Sequence, residues 1–110
     1  MKQLTDILYE VAKIIEHYES GAFLNQEALL KASRELSSNN YWLTVHYIEF
    51  KRRYNELIYT RPMINNKRES VSSAENRADK QYPELHQCKH ILDAIKNVSI
   101  SMNYEIQLMK

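Results

Sequence analysis

Residues 26–60 read QEALLKASRELSSNNYWLTVHYIEFKRRYNELIYT, and this stretch decides the fold. Leu29, Leu36, Leu43, Phe50 and Leu57 recur every seven residues. Tyr47 and Tyr54 fall four positions after Leu43 and Phe50 and supply the alternate seam position. A heptad phase kept over more than four repeats points to a coiled-coil-like helix. The phase is the same on both sides of Ser37-Ser38-Asn39-Asn40, which favours one helix over two. Asn40 then occupies a seam position, where a polar side chain fixes register at some cost in stability. The expected helix covers 26–60 and stops before Pro62, because proline disfavours helical backbone in the residue before it.

The flanks follow from the same spacing argument. Leu4, Ile7, Leu8, Val11, Ile14, Ile15 and Tyr18 predict an amphipathic helix over 4–19, with Gly21 as its C-terminal cap and Asn25 as the next N-cap. Residues 61–71 read as a polar, basic loop, with no strand-period segment of useful length in the chain. Ser72 through Glu75 match a capping box, so a short helix is expected to begin there. Pro83 either kinks that helix or opens the last one. Leu85, Cys88, Leu92, Ile95, Ser99, Met102, Ile106 and Met109 form a second seam, giving a short helix plus a long C-terminal helix over 73–109. The expected architecture is all-α: one domain of 110 residues, a long helical hairpin with a short N-terminal helix. The single cysteine, Cys88, rules out an internal disulfide, so packing alone must hold it together.

The long helix carries a second apolar stripe. Tyr41, Val45 and Ile48 lie three and four apart, with Leu30 and Tyr59 on the same side. A helix apolar on two sides needs two partners. We expect a homo-oligomer whose interface uses Tyr41, Trp42, Val45 and Ile48; coverage of both stripes within a monomer is the competing reading.

Composition narrows the function classes. There is one glycine, Gly21, and the P-loop, the dinucleotide fingerprint and the nucleophile elbow each need at least two. No catalytic set and no cofactor site emerges. His86, His90 and Asp93 have a spacing that suits metal ligands, but a water-facing polar stripe explains it equally well, and no metal is expected. No apolar run approaches a membrane span, and Asp6 and Glu10 interrupt any signal-peptide core, so the expectation is a cytoplasmic protein without a membrane partner.

Charge is the strongest pointer. Residues 1–50 hold four Lys/Arg and seven Asp/Glu, a balance of −3. Residues 51–80 hold eight against four, a balance of +4. Residues 81–110 hold three of each, which returns the overall +1. Cations neutralise phosphates, and bases of a single strand stack on aromatic rings. The candidate nucleic-acid contacts are therefore Lys51, Arg52, Arg53, Tyr59, Arg61, Lys67, Arg68, Arg77 and Lys80. Pairing of the 51–53 cations with Glu49 and Glu56 on a solvated helix end is the alternative.

The order of these features resembles a family of phage recombination mediator proteins, which load a recombinase onto single-stranded DNA. The likeness rests on the long helix with Tyr41-Trp42-Leu43, the basic Lys51-Arg52-Arg53, the small helix at Ser72–Ala78 and the closing Leu92-Asp93-Ala94-Ile95-Lys96. It covers roughly residues 25–109. It implies a homo-oligomer, such as a ring, that binds single-stranded DNA through Lys51, Arg52, Arg53, Lys67 and Arg68, and that contacts a recombinase and a single-strand-binding protein. The rival class is a helical protein-interaction module, a phage anti-defence inhibitor or structural adaptor, with no nucleic-acid affinity and the second apolar stripe as its working surface.

Overall fold

The computed structural model describes residues 2–23, 25–61, 63–64 and 67–109. The fold is an all-α bundle of four helices: α1 (Leu4–Glu19), α2 (Gln26–Tyr59), α3 (Val71–Gln81) and α4 (Pro83–Leu108). Helix α2 passes unbroken through Ser37–Asn40, so one helix carries the whole first seam. Leu29, Leu36 and Leu43 are fully buried, while Phe50 and Leu57 are only half covered.

Helix ends are set by local chemistry. The Asn25 side chain accepts from the Ala28 amide at 2.8 Å, satisfying one orphan donor of α2. At the end of α1, Gly21 takes φ +76°, and the Gly21 and Ala22 amides donate back to Tyr18 and His17 in a Schellman turn. Helix α3 begins at Val71, not at the capping box expected from Ser72. Ser70 caps it by accepting from the Ser73 amide at 3.1 Å, so the serine two positions earlier wins.

The basic stretch expected to be a loop contains a two-stranded antiparallel ribbon, β1 (Met63–Ile64) and β2 (Lys67–Arg68), with Met63 opposite Arg68 and Ile64 opposite Lys67. Pro62, Asn65 and Asn66 of that expected loop lie outside the described residues.

Helix α2 is the spine against which α1, α3 and α4 pack. Helix α4 runs antiparallel to it. Gln26 at the start of α2 donates to the Ile106 carbonyl near the end of α4, and the rings of Phe50 and Tyr82 lie 6.4 Å apart at the other end. Pro83 sits in the first turn of α4, where its missing N–H costs nothing, so α3 and α4 form one track interrupted at Tyr82. Helix α1 covers only the first half of α2. Lys2 at its start bonds Asn39 and Glu10, and His46 contacts the Lys2 carbonyl at 2.8 Å. Tyr18 at its end reaches Ser101 at 2.6 Å and Glu105 at 3.0 Å.

Two seam assignments shift. Asn39, not Asn40, is the buried polar residue of α2, because it faces α1 and bonds both Lys2 and the Glu35 carbonyl. Met109 falls past the end of α4 and is exposed, so the second seam closes at Ile106.

The result is a rod of 66 × 24 × 19 Å, three helices thick at one end and two at the other. Its radius of gyration is 18.7 Å, against about 13 Å for a compact chain of this length. No helix among the described residues is long and apolar enough to cross a membrane.

Candidate nucleic-acid interface at the hairpin tip

Antiparallel packing carries the whole basic segment to the thin end of the rod. The last turns of α2, the ribbon and α3 meet there, so the +4 balance of residues 51–80 is concentrated at one end and α1 with its acids lies at the other.

A buried ion pair organises this tip. Glu69 is 8% exposed, and its carboxylate takes Arg77 at 3.0 and 3.3 Å and the Ser73 hydroxyl at 3.0 Å. The Arg77 guanidinium also donates to the Leu57 carbonyl at 3.1 Å, tying α3 to the last turn of α2. The Arg77 hydrogen bond holds the Glu69 carboxyl below the usual glutamate range, against the opposing effect of burial; Ser73 and the charges of Arg77 and Arg61 act in the same sense as the hydrogen bond. Arg77 therefore acts as a clamp between α2 and α3, with its charge shared with Glu69.

Consecutive residues on a helix point about 100° apart, so Lys51, Arg52 and Arg53 fan out and cannot form one patch. Two of them are also engaged. Arg52 reaches Glu49 at 2.6 Å and Glu56 at 2.5 Å, and Arg53 reaches Glu49 at 3.0 Å. Glu49 in turn is held below its usual range, chiefly by the Arg52 hydrogen bond. Lys51 lies 5.7 Å from the centre of the Tyr47 ring. These are exposed pairs of small individual worth, but they lower the field that a phosphate would meet.

The remaining cations are better placed. Lys67, Arg68 and Lys80 are exposed and make no ion pair among the described residues. Arg61 is half-buried near Glu69. Tyr59 is 83% exposed at the end of α2. The structure thus brings Tyr59, Arg61, Lys67 and Arg68 to the tip, and separates them from the 51–53 run two turns below.

A second polar group seals the junction of α2, α3 and α4. The Asp79 carboxylate takes His86 at 2.9 Å and is held low by that contact first and by the Tyr54 hydroxyl second. The Tyr54 and His86 rings meet edge to face at 6.3 Å. His86 is thus tied to α3. Among the described residues no group of three or more His, Cys, Asp or Glu is arranged to hold a metal ion.

Of the residues expected at an oligomer interface, Tyr41 and Ile48 are each 61% exposed. Val45 is half-buried and lines a shallow groove with Ile48, Phe50 and Arg53. Trp42 is half-buried: it packs against the core and meets the exposed Tyr41 ring edge to face at 5.1 Å. Sequence reading missed a further stripe on α4, Ile100, Tyr104 and Leu108, each more than 60% exposed. Its spacing of four was the available signal, and it was hidden beside the Met102–Ile106 seam. No protein-family model matches the chain, and no curated protein or solved structure matches it either.

Proposed function

We propose that this chain is a non-enzymatic helical protein that works as a homo-oligomer, holds single-stranded DNA at its hairpin tips and assists phage-type recombination. The observation that carries the DNA reading is the charge polarity of the rod. A 66 Å particle with its basic segment at one end presents a local positive field that the net charge of +1 conceals. The exposed Tyr59 ring beside those cations supplies a stacking surface for an unpaired base. Several modest tips on one particle raise affinity through effective concentration. A recombinase as further partner comes from the family resemblance.

The test is anisotropy of a labelled single-stranded oligonucleotide at two salt concentrations, with a duplex control. The Lys67→Glu, Arg68→Glu variant is expected to bind roughly tenfold or more weakly, with the salt slope reduced by about two. Changing Lys51, Arg52 and Arg53 to Ala is expected to do less, because Glu49 and Glu56 already occupy two of them. Absence of binding at low salt, or equal binding of duplex, would end this reading.

The exposed Tyr41 and Ile48 favour a second reading, a protein-interaction module that docks a partner on the outer face of α2. It predicts that a Tyr41→Asp, Ile48→Asp variant stays helical and loses a protein partner.

A further inference from the structure

We infer that the outer face of α2 is occupied by a second copy of this chain, packed antiparallel about a two-fold axis near Val45. The inference deepens the self-association within the proposed function and is independent of whether the tip binds DNA.

Surface area gives the first argument. The chain exposes 7736 Å², where a compact monomer of its 13.1 kDa mass exposes about 6,400 Å². The surplus of roughly 1,300 Å² exceeds the ~800 Å² per partner that a standard interface removes. The thin shape creates that surplus, and the thin half of the rod is where α1 stops short of covering α2.

Self-complementarity gives the second. Leu30, Arg34, Tyr41, Val45, Ile48, Arg52, Glu56 and Tyr59 fall within an arc of about 80° on α2. A two-fold axis makes an isologous contact, in which residue i meets j and j meets i. With the axis at Val45, antiparallel helices pair positions whose numbers sum to about 90. Val45 then meets its own copy and Tyr41 meets Ile48, with Tyr59 at the rim, where its ring stays open to solvent. The charged members match as well: Arg34, which makes no ion pair among the described residues, falls opposite Glu56. The central apolar side chains of the arc find apolar ones, and Arg34 faces the Glu56 that Arg52 of the same helix already holds.

Charge polarity fixes the direction. The four acids of α1 lie at one end of each rod, and Arg61, Lys67 and Arg68 lie at the other. Parallel packing sets tip beside tip; antiparallel packing sets each basic end along the acidic half of its partner, the lower-energy arrangement.

The test combines sedimentation velocity with disulfide trapping, both without DNA. Cys88 is fully buried and stays silent. Under mild oxidation a Val45→Cys chain is expected to form covalent dimers with itself. Arg34→Cys and Glu56→Cys chains are each expected to stay single alone and to cross-link when mixed. The Tyr41→Asp, Ile48→Asp variant is expected to sediment as a helical monomer. A monomeric wild type, self-linking of Arg34→Cys, or a dimer trapped by none of these cysteines would each overturn the proposal. The Lys67→Glu, Arg68→Glu variant leaves the Tyr41, Val45 and Ile48 contact intact and is expected to stay dimeric through it, so loss of DNA binding and loss of dimerisation are read separately.

Discussion

Leu36→Ala is expected to cost about 2–5 kcal/mol, the range for emptying a fully buried leucine site. Leu36 is 0% exposed, at the level where α1, α2 and α4 come together. Folded domains carry only about 5–15 kcal/mol in total, and a rod leaves more of its surface wet than a compact chain does. The loss should therefore consume a large share of the stability and leave the variant poorly folded near physiological temperature. Leu108→Ala, at a site 68% exposed, serves as the control and should change stability by about 0.5 kcal/mol or less. Urea unfolding followed by circular dichroism measures both. A Leu36→Ala loss under about 1 kcal/mol would mean that the seam does not bear the fold.

Arg77→Ala is expected to loosen the tip without unfolding the rest. The substitution removes the partner of a buried carboxylate and the donor to the Leu57 carbonyl, and an unpartnered buried group costs far more than a pair is worth. Amide exchange in α3 should rise roughly tenfold to a hundredfold while the Leu29–Leu43 segment of α2 stays protected. The pH dependence follows from the same pair. Glu69 has a lowered pKa in the folded state, so its stabilising contribution is complete above the usual glutamate range and is lost as pH falls through its own lowered value. In Arg77→Ala the chief lowering influence is gone, so α3 should lose less protection on acidification in that window. Uniform loss of protection along the chain, or an unchanged acid limb, would show that the clamp is not local.

The sequence made the heptad seam of α2 legible because Leu29, Leu36 and Leu43 repeat in one phase with no proline or glycine between them. What it concealed was of a different physical kind. Asn39 and Asn40 are adjacent, and only the position of α1 decides which is buried. Ser70 and Ser72 are both plausible caps, and one amide geometry chooses between them. The ribbon spans too few residues to leave a periodic trace. In the candidate site, counting charges located the basic tip, but spacing on the helix and pairing with acids decide which cations are available. Lys51, Arg52 and Arg53 look like a patch in one dimension and diverge in three. Arg77 reads as one more free cation until the buried Glu69, eight residues away, pairs with it.

The antiparallel track has a kinetic consequence. The contact of Arg77 with Leu57 closes 20 residues of chain, whereas that of Gln26 with Ile106 closes 80. Two doublings of loop length add about 1.2 kcal/mol of closure entropy. Between α2 and the α3–α4 track the shorter loops lie at the basic end, so that hairpin zips from the tip toward Ile106. Substitutions at the tip should slow folding, and those at Tyr18 or Ile106 should mainly speed unfolding. The end proposed to meet DNA is thus also where the α2–α4 hairpin closes first.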